Sequence, residues 1–171
     1  MSLRKDTLYE DDGLLVINKP SGIAVHGGSG LRAGIIEALR KHDGKDTYLE
    51  LVHRLDRETS GCLMLAKDPK VLRGLHKSLR DPSLNNIQKR YLSLLIGDWT
   101  NGSRKIDLSL SKAKSRNNTW SSIVTASGRK ADSRFVPVQH FDGYVLVEIE
   151  LKTGRMHQIR AHSAAIGFPV G

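Results

Sequence analysis

The stretch YVLVEIEL, residues 144–151, alternates without a break: Val145, Val147, Ile149 and Leu151 share one parity, with Tyr144, Glu148 and Glu150 among the residues of the other. A period of two held over eight residues is that of a strand with one buried and one wet face. A chain built around such a strand needs partners for it. LLVIN (14–18) reads as a short buried strand stopped by KPSG, whose Pro-Ser-Gly chemistry makes a turn. YLELV (48–52), CLMLA (62–66) and RYLSLLIG (90–97) read as further strands.

Three segments carry helical spacing instead. In 31–42, Leu31, Ile35, Ile36 and Leu39 fall on one face. In 69–80, Val71, Leu72, Leu75 and Leu79 form a stripe expected to be buried. Asp68 followed by Pro69 supplies the start signal, a carboxylate for the orphan amides and a proline at the first helical position. RMHQIRAHSAAIG (155–167) is expected to be helical up to Gly167, with Pro169 beyond. YEDDG (9–13) reads as an acidic turn, and residues 101–129 as short strands or loops without assignable register. Strands outnumber helices and do not alternate with them regularly, so the expected class is α+β, with a mixed, mostly antiparallel central sheet flanked by helices and loops. At 171 residues, one core suffices.

Composition narrows the chemistry. The single Cys62 permits neither an internal disulfide nor a zinc site of the paired-cysteine kind. No apolar run approaches bilayer length, and residues 1–13 lack the apolar region of a signal peptide, so a soluble, cytoplasmic protein is expected. The net charge is +9, and its excess is confined to the middle of the chain: residues 67–130 hold 14 Lys and Arg against 4 Asp. Such a concentration suits a polyanion partner, and it equally suits a solubilising surface.

Several site types are weighed against this background. His157 and His162 are five apart with no carboxylate at zinc-ligand spacing, so no metal is expected. HGGSG (26–30) precedes a helix but lacks the Gly-Lys-Ser/Thr ending of a nucleotide loop; it reads as a flexible turn, with an RNA phosphate contact as the other option. No Gly-x-Ser-x-Gly turn marks a serine hydrolase. HRLDRETSG (53–61) places Asp56 at the end of an apolar strand, between Arg54 and Arg57 and before Thr59, Ser60 and Gly61. Its local chemistry alone fits a capped surface turn as well as a reactive carboxylate.

HRLDRETSG resembles the HRLDxxTSG signature of the RluA-type pseudouridine synthases. LLVINKPSGIAVH (14–26), QKRYLSLLIG (88–97) and TGRMHQIRAH (153–162) are similar to that family's other motifs and stand in its order, so the likeness covers about residues 9–171. The resemblance implies the pseudouridine synthase catalytic fold and the isomerisation of specific uridines in RNA, large-subunit ribosomal RNA above all. No cofactor and no metal are implied, and the expected state is a monomer. It assigns Asp56 as the catalytic nucleophile and Arg160 as the guanidinium that keeps it ionised. Tyr91 becomes the ring stacked on uracil, Ile159 an apolar pocket wall, and Arg54 the wedge filling the gap left by a flipped base. Lys67, Lys70, Arg73, Lys77, Lys112, Lys114 and Arg116 are then phosphate contacts. Each has a plainer reading: a capped turn carboxylate for Asp56, a phosphate contact or helix-end surface charge for Arg160, a salt bridge of Arg54 to Glu50 or Glu58, core packing for Tyr91 and Ile159, and surface charge for the remaining cations. Two rival functions are a non-catalytic RNA-binding domain of the same fold and a carboxylate-dependent hydrolase. Residues 1–8, outside the likeness, are expected to be an N-terminal extension, with the first three residues read as a cloning remnant. Residues 9–171 are expected to be a catalytic domain incomplete at its C-terminus, without the family's N-terminal RNA-binding domain.

Overall fold

Strand β2 (Leu14–Lys19) pairs antiparallel with β4 (Gly61–Ala66) in the computed structural model, which describes residues 3–27, 33–44, 47–81, 84, 87–114 and 120–171. The first unit, residues 1–85, is built on that pair. Its sheet runs β1 (Thr7–Glu10), β2, β4, β3 (Glu50–Leu51), with every neighbour antiparallel. Leu15 and Ile17 of β2 face inward with Leu63 and Leu65 of β4, and α1 (Ile35–Asp43) adds Ile35, Ile36 and Leu39 to the buried apolar set. At about 25 cal/mol per Å², such fully buried aliphatic side chains contribute roughly 1.5–3 kcal/mol each.

Helix α1 starts four residues later than its apolar spacing suggests. Gly34 is its N-cap in extended geometry, and its amide donates to the Glu37 carboxylate at 2.7 Å. The backbone of His26 crosses so closely that a Cβ on Gly34 would lie 2.5 Å from it. Leu31 lies outside the described residues. Strand β3 is shorter than the expected 48–52: Val52 still donates to the Met64 carbonyl, but the Met64 amide donates to His53 Nε2, so a side chain replaces the next rung. Helix α2 (Pro69–Arg80) has the expected span, and Asp68 Oδ1 accepts from the amides of Lys70 (2.7 Å) and Val71 (3.1 Å). Its expected buried stripe is only half-buried, because the helix lies on the surface of the unit beside β4. YEDDG divides between β1, which carries Tyr9 and Glu10, and the turn that follows.

The second unit, residues 86–171, has a sheet of order β5 (Lys89–Ile96), β10 (Tyr144–Leu151), β9 (Asp132–Phe141), β6 (Arg104–Asp107), all antiparallel. A two-stranded ribbon, β7 (Leu110–Lys114) with β8 (Trp120–Val124), and α3 (Gln158–Ala165) complete it. Strand β10 buries Val145, Val147, Ile149 and Leu151 as its alternation requires, together with Leu95, Ile106, Phe135 and Trp99. The Trp99 indole N–H donates to the Gly102 carbonyl, which satisfies the buried donor. Strand β9 is not apparent from the sequence because Pro137 interrupts its pattern. Its register shifts opposite Leu146 and Val147, and the irregularity accommodates the missing donor. Helix α3 begins at Gln158 rather than 155, since His157 takes a left-handed conformation (φ 48°) and serves as its N-cap.

Candidate functional site

Val52 and Leu55 are buried and pin the approach to Asp56, which is half-buried at the first position of a turn closed by the Thr59 amide donating to the Asp56 carbonyl at 3.1 Å. Gly61 ends the motif with φ +114°, a conformation that side chains strongly disfavour. The turn at residues 20–23 grips this loop from the side. The Gly22 amide donates to the Arg57 carbonyl (2.9 Å), Arg57 Nε returns a bond to the Gly22 carbonyl (2.9 Å), and Ser21 Oγ donates to the Glu58 carbonyl (2.7 Å).

Lys19 closes the clasp from inside. Its side chain is fully buried, and Nζ donates to the carbonyls of Pro20 (2.8 Å), Ile23 (2.6 Å) and Arg57 (2.9 Å), one acceptor for each ammonium hydrogen. Burial lowers its pKa, while the charges of Glu58 and Asp56 act in the opposite sense. Lys19 is thus a buried cation whose field reaches Asp56. In the sequence KPSG reads only as a turn; an ammonium at the inward parity of an apolar strand is the signal that points further.

Arg54 is exposed. Glu50 pairs with Arg40 (2.7 Å) and Glu58 with Arg57 (3.5 Å), and among the described residues Arg54 forms an ion pair with neither glutamate. Its local salt-bridge reading therefore fails.

In the second unit, Tyr91 stands on β5 opposite Ile149, and both Tyr91 and Ile159 pack against the core cluster of Val147, Ile149 and Phe135. Arg160 follows Ile159 on α3 and is exposed. The orientation of α3 is set by a chain of buried polar contacts. Gln158 Oε1 accepts from Thr153 Oγ1 and the Arg155 amide, both at 2.9 Å, while Nε2 donates to the Asp132 carbonyl (3.0 Å) and Ser133 Oγ (2.8 Å). His162 Nε2 meets the Leu108 carbonyl at 2.9 Å and must carry the proton there, so Nδ1 accepts from the Ser133 hydroxyl at 3.0 Å. Burial holds His162 below the ordinary histidine value and so favours this neutral form. Both ring nitrogens are engaged, which removes His162 from the pair weighed as metal ligands. Sequence reasoning misses Gln158 and His162 as supports of Arg160; the clue lies in polar residues on a helix that must pack.

Beside Tyr91, burial and then repulsion from Arg155 and Lys152 hold the Lys89 ammonium below the usual lysine range. Positive potential therefore gathers near the segment leading into α3. On α2, Lys70, Arg73 and Lys77 are exposed at spacings of three and four, hence on one helix face. Arg73 and Lys77 line a concavity with His76, Arg80 and Asp81. Lys67 is committed elsewhere, with Nζ on Glu10 Oε1 (2.9 Å) and the Asp11 carbonyl (2.7 Å). Lys112 and Lys114 are exposed on β7, and Arg116 lies outside the described residues.

The model of the RNA pseudouridylate synthase family matches residues 13–165, a span that takes in the Asp56 turn, Tyr91 and Arg160. The chain belongs to that family. It is 44% identical over 169 residues to ribosomal large subunit pseudouridine synthase C of Buchnera aphidicola subsp. Schizaphis graminum, covering 99% of this chain and 53% of that protein. The protein of the same name from Escherichia coli K12 is 44% identical over 163 residues, 95% of this chain and 50% of that one. The chain thus spans about half the length of these curated relatives. Among solved structures, human RNA pseudouridylate synthase domain containing 4 superposes with a TM-score of 0.76 at 24% identity, covering 99% of this chain and 67% of that one, which supports the fold. The α+β, mostly antiparallel pseudouridine synthase fold expected from the sequence is the one found. Among the described residues, no helix is long and apolar enough to cross a membrane.

Proposed function

We propose that this chain converts uridine to pseudouridine in RNA, and large-subunit ribosomal RNA in particular, as a cytoplasmic, monomeric enzyme without metal or cofactor. The family match through the clasped Asp56 turn is the observation that carries this reading. The reaction is balanced within the nucleotide. The bond from uracil N1 to the ribose anomeric carbon breaks, the base turns, and carbon five bonds to the same anomeric carbon. A proton leaves carbon five and one is taken up at N1. Two routes are open to an ionised carboxylate: attack at the anomeric carbon, as in glycoside chemistry, or addition to the uracil ring.

In either route Asp56 is the nucleophile and is regenerated. Lys19 holds the loop that carries it through the Arg57 carbonyl, and Arg160 supplies the planar guanidinium suited to a carboxylate. Tyr91 holds the detached base by stacking, worth about 1–3 kcal/mol, and its hydroxyl assists removal of the proton from carbon five. Ile159 forms an apolar wall, and Arg54, exposed and unpaired with the neighbouring glutamates, fills the gap left by the extruded uridine. Lys70, Arg73, Lys77, Lys112, Lys114 and Arg116 hold phosphates, with Lys67 secondary because of its bond to Glu10.

The test is RNA bearing tritium on carbon five of uracil. Tritium release with unchanged RNA length, abolished by Asp56→Asn, is expected. Release that survives that substitution overturns the assignment, and free uracil in the products points to a hydrolase.

A further inference from the structure

The chain has two tryptophans, and the fold treats them oppositely. Trp99 is 2% exposed, stacked on Phe135 and hydrogen-bonded. Trp120, at the start of β8, is 55% exposed, and among the described residues its indole N–H has no hydrogen-bond partner. An open indole is unfavourable in water, so the ring is a candidate for a flat ligand. Its neighbours specify the charge of that ligand. Lys114 is its cross-strand partner, with Nζ 5.8 Å from the ring centroid, and Lys112 stands opposite Ser122 on the same face. The two lysines are about 6.8 Å apart along the strand, comparable with the step between successive phosphates of an extended nucleic acid strand. Neither makes an ion pair among the described residues.

The ribbon is also anchored. Ser122, two residues from Trp120 and therefore on the same face, donates through Oγ to the Met156 carbonyl at 2.5 Å, in the segment leading into α3. That face meets the segment before Gln158, Ile159 and Arg160, and Lys89 near it feels the cations Arg155 and Lys152.

We propose that Trp120, with Lys112 and Lys114, is a stacking site for one unpaired RNA base and its flanking phosphates, separate from the residues assigned to the reacting uridine. The inference rests on the RNA reading above. An aromatic ring combined with cations is the arrangement that holds single strands without sequence preference.

The test uses the full chain with a short oligouridylate and a blunt RNA duplex of the same length. Trp120→Ala is expected to weaken oligouridylate binding about 5- to 150-fold, from 1–3 kcal/mol per stacked base, with little effect on the duplex. Trp120→Phe should retain most of the affinity yet lose the tryptophan fluorescence quenching that the oligouridylate causes in the unaltered protein, because Trp99 is buried. Lys112→Gln with Lys114→Gln should lower the salt slope by about 0.7 for each phosphate no longer neutralised, and Trp120→Ala should leave that slope unchanged. The site is overturned by unchanged affinity in a Trp120→Ala protein with native Trp99 emission, by undiminished quenching in Trp120→Phe, or by equal losses on duplex and single strand. If Trp120→Ala fails to fold, the quenching and salt-slope measurements decide. Loss of RNA binding in Trp120→Ala, together with no tritium release by the unaltered protein, would sink the isomerase reading and leave the stacking site standing.

Discussion

Lys19 Nζ donates to the carbonyl of Arg57 at 2.9 Å, one residue beyond Asp56, and so ties the end of β2 to the loop that presents the proposed nucleophile. Lys19→Met keeps the aliphatic bulk and strands three carbonyls, those of Pro20, Ile23 and Arg57. The expected cost is on the order of 3 kcal/mol, since bonds to a charged donor are removed in a buried place. Urea unfolding measures it, and tritium release should fall more than the folded fraction does. A midpoint within error of the unaltered protein would refute the clasp.

Gln158 links Thr153, Ser133 and the Arg155 amide, and with them the start of α3. Gln158→Leu leaves the Asp132 carbonyl, the Arg155 amide and two hydroxyls without their partner, at an expected 2–4 kcal/mol, roughly. Because Arg160 lies two residues on, kcat should drop in the protein that remains folded. Comparison of kcat with the fraction folded by circular dichroism separates positioning from unfolding.

Burial holds His162 below its ordinary value. The folded state therefore refuses a proton that the unfolded chain binds near pH 6.5. Its contribution to stability is complete above that pH and is lost as the pH falls from there through the lower folded value. Thermal midpoints should decline over this window, before the lowered carboxylates Glu37 and Asp43 begin to protonate. His162→Gln should flatten the decline, and an unaltered slope in that variant would assign it to other groups.

Two glycines are expected to respond in opposite directions. Gly34→Ala forces a methyl to within 2.5 Å of the His26 backbone and should destabilise by several kcal/mol, about 2 or more. Gly74 is inside α2, exposed, with open space where its Cβ would stand. Gly74→Ala should therefore stabilise by about 0.5–1 kcal/mol. Equilibrium denaturation of the two variants gives both signs at once.

The α2 cations divide by environment. Changing Lys70, Arg73 and Lys77 to Gln should leave stability nearly unchanged and weaken RNA binding with a shallower salt dependence, about 0.7–0.9 less slope for each phosphate released. Lys67→Gln should instead lower stability modestly, by about 0.5–1 kcal/mol, since it breaks the partly exposed bond to Glu10. Filter binding across a salt series tells the two apart.

Local chemistry was legible wherever one residue type answers one need. Asp68 and Pro69 start α2 where their capping chemistry says, and the alternation over 144–151 gives β10 its span. The motif residues were also identifiable: Asp56 in its turn, Tyr91 on a strand, Arg160 on a helix. Strand β9 was hidden because Pro137 and a register shift break its period, and α1 and α3 read too long because apolar spacing continues past their true starts.

The sequence by itself therefore determined the elements with strong periodicity or caps and the family likeness, from which the proposal of Asp56 as nucleophile comes. Only the tertiary structure decided which polar groups do the holding. Lys19 on the carbonyls around Asp56, and Gln158 and His162 beneath α3, are bonds between segments distant along the chain. A buried polar side chain must find its partner wherever the fold brings one, and no local pattern records that partner's position.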